Sequence, residues 1–329
     1  MIKAEVVAHS TCNGNEICTM VVTMPRIILA EFNTHRMFSR NSASSRAIPF
    51  EKMVKSVNDN PFIPIAWQID HKGMQGIEYL TAPIDTAMAH DNWLEASKNA
   101  IRLAKNLNNN CHVTKQLCNR LLEPFMYHTV IVTATEWENF FALRCPQYEF
   151  GAVGKSFRSK KDYLKESLET FPSLESININ ENTWKTINKG QAEIHMMALA
   201  EAMWDAKNES TPKELKAGEW HIPFGDSIDE LKLREYLRSL CKGKFVYNDE
   251  TVEQAKIEIA IARCARVSYT VVGEEGKEPN YKNDIKLHDS LMVSKHASPF
   301  EHCALCTGDN IYSRNFTGGW KQYREIICL

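Results

Sequence analysis

Three absences limit what this sequence can encode. No apolar run approaches the roughly 20 residues of a membrane-spanning helix, and the first ten residues, MIKAEVVAHS, lack the apolar stretch of a secretory signal. Basic residues are not in excess, because 39 Lys and Arg stand against 41 Asp and Glu, for a net charge of −2. Non-specific nucleic-acid binders usually have a strong basic excess. We therefore expect a cytoplasmic protein with no membrane or nucleic-acid partner.

Metal-ligand patterns are also scarce, although the chain has ten cysteines. Without a secretory signal, we expect reduced thiols rather than a disulfide framework. The one CxxC pair, Cys303 and Cys306, follows His302 and has no second pair. Its surroundings are typical of a strand, in which residues three apart point to opposite faces. We predict no metal site.

The chain is long enough for a large core, and 43% apolar with 24% charged residues is ordinary for a globular protein. We expect one elaborated domain over residues 1–329, of the α/β class, with a twisted sheet flanked by helices. Alternating or β-branched runs predict strands at residues 2–8, 17–24 and 129–133, with a turn at 12–16. Apolar spacing predicts helices at 94–107, 113–122, 191–206, 228–240, 251–267 and 285–294. We expect Pro124 to end or kink a helix, Thr135 to cap the next one, and residues 50–90 to be irregular.

The polar chemistry is concentrated in residues 31–49, EFNTHRMFSRNSASSRAIP, directly after an apolar run. This stretch holds three arginines, one histidine, two asparagines and four serines. Arginine forks, hydroxyls and loop amides suit a phosphate group and a planar ring such as uracil. The alternative is a solvated, capped surface loop. Further along, Arg120 and Arg144 follow helical patterns, where they are either ligand-binding residues or surface cations near helix C-termini.

The order of residues favours the ligand-binding interpretation. His35-Arg36, seven intervening residues, Ser44 and then Arg46 resemble the Arg-His-Arg-(seven)-Ser signature of the flavin-dependent thymidylate synthases. Further blocks resemble the same family: residues 139–144 (NFFALR), 191–194 (QAEI), 265–269 (ARVSY) and 296–302 (HASPFEH). The last of these is the sharpest match.

The resemblance implies a role for each matching residue. It implies that the nucleotide substrate is bound by Glu31, Ser44, Arg46, Arg120 and Arg144, and that the flavin is contacted by His35, Arg36, Asn41, Asn139, Ser298 and Glu301. Arg144 would face the pyrimidine N3 and stabilise negative charge developing at N3 and O2, as a catalytic residue. We expect Arg46 and Arg144 to be solvent-facing cations.

The blocks are out of order. In the family the last two precede the Arg-His-Arg motif, whereas here they follow it by some 250 residues, so the chain resembles a circular permutant. Permutation is tolerated where the old termini are close and the new cut is exposed. It predicts that residues 298–301 lie close to His35. About forty residues, 145–187, are inserted and form a lid, a subunit contact or a tolerated surface excursion.

The implied reaction is reductive methylation of dUMP to dTMP, using methylenetetrahydrofolate and reduced FAD, with NADPH restoring the flavin, in a homotetramer with shared sites. Thr34 and Thr135 stand where the family pattern has arginines, and Ser42 stands where it has an acidic residue. The resemblance therefore supports nucleotide binding better than it supports the flavin site. Two alternatives stay open. One is C5 hydroxymethylation of dUMP or dCMP, and the other is a non-catalytic nucleotide-binding homologue.

Overall fold

The computed structural model describes residues 1–72, 78–150, 154–171, 188, 192–241, 248–267, 280–309 and 312–328. Its strands are β1 (Lys3–Cys12), β2 (Asn15–Pro25), β3 (Ser39–Ser42), β4 (Tyr127–Ala134), β5 (Tyr148–Phe150), β6 (Lys155–Phe157), β7 (Lys213–Glu214), β8 (Trp220–His221), β9 (Ala304–Cys306) and β10 (Trp320–Gln322). A five-stranded mixed sheet has the order β3-β4-β2-β1-β7, in which only β7 pairs in parallel. A second sheet has the order β10-β9-β8, and β5 pairs with β6.

The helices are α1 (Leu29–Phe32), α2 (Phe50–Asp59), α3 (Pro83–Asn109), α4 (Lys115–Cys118), α5 (Glu138–Arg144), α6 (Lys160–Thr170), α7 (Ile194–Glu209), α8 (Glu230–Cys241), α9 (Asp249–Arg266), α10 (Tyr281–Val293) and α11 (Tyr323–Ile326). Short 3-10 helices occupy Arg26–Ile28, Asn119–Phe125, Gly225–Ser227 and Ser298–Glu301. None of the described helices is long and apolar enough to cross a membrane.

The β1–β2 hairpin forms where the sequence predicts it. Its turn places Asn13 at φ 49° and Gly14 at φ 81°, the pair of left-handed residues that a two-residue hairpin turn of matching twist requires. A side chain at position 14 would therefore strain the backbone.

Alternation along β2 and β4 divides the sheet into two buried faces. Met20, Val22, Val130 and Val132 point to one face and pack against α1, α5 and α7. Ile131 points to the other, where Cys264 of α9 contacts it. Helices therefore cover both faces, and the α/β class with a twisted sheet between helices is confirmed.

Residues 50–90 correct one expectation, because they contain all of α2 and the start of α3. Phe50, Met53, Val54 and Val57 are buried in α2 at helical spacing, so the helix was readable from the sequence. Pro83 is the first residue of α3. Proline is favoured at that position because its nitrogen needs no hydrogen there.

Two further expectations about the central region are wrong. Pro124 was expected to end or kink a helix. It does not end one, because it lies inside the 3-10 helix Asn119–Phe125, and a kink at this position stays a prediction. Thr135 does not cap α5, which begins three residues later without a side-chain cap. Instead, the Thr135 hydroxyl is hydrogen-bonded to Thr317 at 3.1 Å.

The described part of the inserted region packs onto α7. Tyr148 donates from its hydroxyl to Glu201 at 3.1 Å, and Trp204 donates to Asp162 of α6 at 2.7 Å. Residues 172–187 of the insertion lie outside the described residues. The role of the inserted region stays a prediction.

One pair of cysteines contradicts the expectation of reduced thiols. Cys12, at the end of β1, is joined by a disulfide to Cys306 of β9 across 294 residues of sequence. Seven other cysteines in the described part of the chain are free thiols. The bond ties the first hairpin to the second sheet.

Candidate functional site

Residues 31–49 follow strand β2 and include the last part of α1 and all of β3. After β2 ends, the 3-10 helix Arg26–Ile28 and α1 turn the chain over the buried rings of Phe32 and Phe38. Arg40 then fixes the loop from β3, because its Nη1 donates to the carbonyl oxygens of Phe32 at 3.3 Å and His35 at 3.2 Å. The loop that carries His35 and Arg36 is thus held from both ends.

Arg144 lies at the end of α5 and meets this loop. Its Nε donates to Nε2 of His35 at 3.0 Å, and its Nη1 is paired with the carboxylate of Glu31. The Arg144 side chain is 20% exposed. The expectation of a solvent-facing cation is therefore wrong for Arg144, since the guanidinium is already held by two side chains.

His35 is buried beside two arginines and two rings. Its ring packs edge-on against Phe140 at 4.8 Å between centroids and at a tilt against Phe38 at 5.8 Å. Burial, reinforced by the charges of Arg144 and Arg40, lowers the pKa of His35 to about 4. The imidazole is consequently neutral near pH 7.

The 3-10 turn Ser298–Glu301 packs against β3, as the permuted order predicts. Ser298 donates from Oγ to Oδ1 of Asn41 at 3.2 Å, and Asn41 donates from Nδ2 to the carbonyl oxygen of Cys264 at 2.7 Å. Glu301 is close enough to Arg40, which braces the His35 loop, to affect the pKa of that arginine. The proximity of the turn to the His35 segment is confirmed, and the permutation itself stays a proposal.

A second group of residues forms where the segment leaves β3. Asn119, fully buried, donates from Nδ2 to the carbonyl oxygens of Ser45 at 2.6 Å and Ile48 at 3.0 Å. Ser45 donates from Oγ to Glu123 at 2.7 Å. Loop 43–48 is thus fastened to the 3-10 helix Asn119–Phe125.

Three predicted substrate residues flank that junction. Arg46 and Arg120 are exposed, each one residue from a residue that makes the anchoring contacts, and Ser44 is half-buried. Within the described ranges, no side chain or carbonyl group pairs with either guanidinium. The expectation that Arg46 faces the solvent is confirmed. Arg46 lies in the fastened loop 43–48, and Arg120 lies in the 3-10 helix that holds this loop.

The predicted flavin residues are differently placed. Asn41 and Ser298 are bonded to each other, His35 accepts from Arg144, and Glu301 is paired with Arg324. Arg36 and Asn139 are exposed. Four of the six side chains are therefore engaged within the chain, and two present their polar groups to solvent.

A buried polar chain that the sequence did not reveal crosses the sheet beside the site. His221 is hydrogen-bonded to Ser10 at 2.9 Å and to Thr19 at 2.8 Å. The hydroxyl of Thr19 is also hydrogen-bonded to that of Thr133 at 2.7 Å, and the Thr133 hydroxyl is hydrogen-bonded to Nδ1 of His302 at 2.8 Å. Burial lowers the pKa of both histidines to about 3. Thr19 and Thr133 sit in β-branched runs that read as ordinary strand, so no motif signals this chain.

The C-terminal residues also support β3. Gln322, fully buried in β10, donates from Nε2 to Ser39 at 3.0 Å and to Asn315 at 2.6 Å. Asn315 in turn donates to the carbonyl oxygen of Met37 at 2.9 Å. No group of three or more His, Cys, Asp or Glu side chains forms a metal site among the described residues.

Comparison with known proteins yields no family model that matches the sequence and no similar curated protein. Among solved structures, the UMP/dUMP methylase PolB from Streptomyces cacaoi bound with 5-Br dUMP overlaps 64% of this chain and 90% of its own, at TM-score 0.42 and 12% identity. PolB with 5-Br UMP overlaps 58% and 97%, at TM-score 0.36 and 14% identity. Thymidylate synthase X from Helicobacter pylori with FAD and dUMP overlaps 63% and 93%, at TM-score 0.33 and 11% identity. Overlaps of this size assign no function to the chain.

Proposed function

We propose that the chain binds dUMP and methylates it reductively to dTMP. One observation carries the proposal: the exposed Arg46 lies in loop 43–48, which Asn119 fixes, and the exposed Arg120 follows Asn119 directly. Neither arginine has a protein partner among the described residues. Unpaired arginines on a rigid support are suited to bind a phosphate group, because little ordering is left to occur on binding. The Ser44 hydroxyl supplies a further donor next to them.

We propose that Arg144 donates hydrogen bonds to the pyrimidine ring. Of the five guanidinium N–H groups, the contacts with His35 and Glu31 occupy Nε and one hydrogen of Nη1. The remaining hydrogens are available to O2 of a uracil ring and to the negative charge that develops at N3 and O2. A donor placed there stabilises the negative charge that builds up when C5 reacts, a contribution of about 3 kcal/mol in comparable sites.

The flavin half of the reaction does not fit this chain in the same way. Only Arg36 and Asn139 of the six expected residues present free polar groups, so these six residues as a set do not fit a flavin within one chain. FAD, methylenetetrahydrofolate and NADPH belong to the proposal through the sequence resemblance alone. A homotetramer, in which other copies complete the site, belongs to it on the same ground.

Calorimetric titration with dUMP tests the nucleotide half, and the visible absorption band of a bound flavin tests the other. We expect dUMP binding that Arg46→Ala weakens, a yellow purified protein, and formation of dTMP with methylenetetrahydrofolate and NADPH. Light scattering is expected to give four chains per particle. Absence of dUMP binding would overturn the proposal.

A non-catalytic nucleotide-binding protein is the second candidate, favoured by the internal engagement of the flavin residues. It predicts dUMP binding to a colourless protein that gives no product with the added cofactors. Hydroxymethylation at C5 of dUMP or dCMP is separated from methylation by the mass of the product.

A further inference from the structure

We propose that His35 is a positioning residue, whose neutral imidazole accepts from Arg144 Nε and thereby turns the outer guanidinium edge toward the pyrimidine. The inference rests on the proposed function and departs from the role that the sequence resemblance implies for His35, which is contact with a flavin. The contact is within one chain, at 3.0 Å between Nε and Nε2.

The guanidinium is held from two sides. His35 takes the Nε hydrogen and Glu31 takes one from Nη1, and two anchors on different atoms fix both the position and the tilt of the plane. Both hydrogens of Nη2 are left without a partner among the described residues, on a side chain that is 20% exposed. The Nη2 edge is therefore left for a ligand in one orientation.

The contact determines the tautomer of His35. Arginine keeps its proton at all ordinary pH values, so Nε is always the donor. Nε2 of His35 must then carry a lone pair, which places the ring hydrogen on Nδ1. Protonation would set an imidazolium N–H against the Arg144 N–H and break the contact.

The surroundings keep the ring in this neutral form. Arg144 and Arg40 are the cations that face His35, Arg40 through its contact with the His35 carbonyl oxygen, and Glu31 is the nearby carboxylate, already paired with Arg144. Phe140 and Phe38 enclose the ring. Burial and the two cations favour the neutral form, in agreement with the lowered pKa of the group.

Two substitutions separate positioning from simple space filling. His35→Phe keeps a ring between Phe38 and Phe140 and removes the acceptor. His35→Gln keeps an acceptor oxygen at about the reach of Nε2 and gives up the ring. If the ring serves only for packing, Phe is the milder change; if it positions Arg144, Gln is.

The kinetic test compares both variants with the wild type in dUMP methylation. We expect His35→Phe to lower kcat about tenfold or more while the dUMP KM changes by less than about threefold, and His35→Gln to keep most of the activity. Greater activity in the Phe variant than in the Gln variant would overturn the proposal. Thermal unfolding of each variant checks that both fold.

A second measurement needs no substrate. Nitrogen-15 NMR of labelled histidine is expected to show the Nδ1–H tautomer for His35, without titration between about pH 5 and pH 8. In Arg144→Leu the hydrogen on Nδ1 is no longer enforced, so the signal should change. An Nε2–H tautomer in the wild type would overturn the proposal. The expected tautomer in a protein that does not bind dUMP would support the contact and overturn the proposed function.

Discussion

Replacing Arg46 or Arg120 should affect ligand binding and not the stability of the free protein. Because neither has a partner in the described part of the chain, replacing either by Ala should leave the free energy of unfolding unchanged. It should weaken dUMP binding by roughly 1.5 to 3 kcal/mol, which is about ten- to a hundredfold. Titration calorimetry and thermal unfolding measure the two effects separately.

Arg102, an exposed arginine of α3, provides the matched control. Arg102→Ala removes the same charge at a residue that makes none of the contacts that hold loop 43–48, and it should not alter dUMP affinity. Equal losses of dUMP affinity in Arg46→Ala and Arg102→Ala would show that affinity depends only on net charge, and would contradict a phosphate site at Arg46.

Single residues were predicted unevenly from the sequence. The solvent exposure of Arg46 was predicted correctly because an arginine in a polar loop has few partners nearby. Arg144 was wrong because its partners, Glu31 and His35, are more than a hundred positions away in sequence. The roles of His221 and His302 were missed, although His302 lies in the matching block 296–302, because both depend on the threonines that the sheet brings alongside.

At the scale of elements, the 3-10 helix Asn119–Phe125 is the support for loop 43–48. Asn119→Ala removes two hydrogen bonds and leaves the buried carbonyl groups of Ser45 and Ile48 without them. We expect a loss of about 1 to 3 kcal/mol in the free energy of unfolding together with weaker dUMP binding, since loop 43–48 carries Ser44 and Arg46. Denaturant unfolding and calorimetry measure both.

Asn92→Ala, at an exposed position of α3, is the control for that change and should affect neither quantity. If Asn119→Ala lowers stability while dUMP affinity stays at the wild-type value, the loop is not what presents Ser44 and Arg46 to the ligand.

Elements with a regular pattern were predicted from sequence, and those whose ends depend on distant contacts were not. The β1–β2 hairpin follows from two alternating runs and an Asn-Gly turn. In α2 the helical spacing was present but was outweighed by nearby prolines. The 3-10 helix through Pro124 has no local signature, because its place is determined by packing of Leu122 and Phe125 against α2 and α3.

For the whole molecule, buried neutral histidines predict sensitivity to acid. Burial lowers the pKa of His128, His221 and His302 to about 3, against an ordinary value near 6.5 in the unfolded chain. The unfolded chain gains these protons first, so stability is fully present above about pH 6.5 and is lost as the pH falls toward 3. At pH 5 each of these histidines lowers the free energy of unfolding by up to about 2 kcal/mol relative to its value above pH 6.5.

Urea unfolding at pH 7 and pH 5 measures this loss. Both ring nitrogens of His128 lack a partner among the described residues, so His128→Phe removes one titrating group without breaking a side-chain hydrogen bond. The variant should lose less stability than the wild type between the two pH values. An equal loss in both proteins would show that His128 is not held neutral by the fold.

The chain order predicted one long-range feature of the whole molecule and missed another. Contact between the Ser298–Glu301 turn and β3 followed from matching motif blocks to a permuted order. The bond between Cys12 and Cys306 did not, since nothing in the sequence near either cysteine specifies a partner 294 residues away.

That bond closes residues 12–306 into a covalent ring. While it is intact, a protease that cuts one peptide bond between residues 12 and 306 leaves a single molecule, which should run as one band on a denaturing gel without thiol and as two fragments with it. The ring also means that the chain can be opened at an exposed loop without separating its parts. New ends made in this way would remain joined through the sulfurs of β1 and β9.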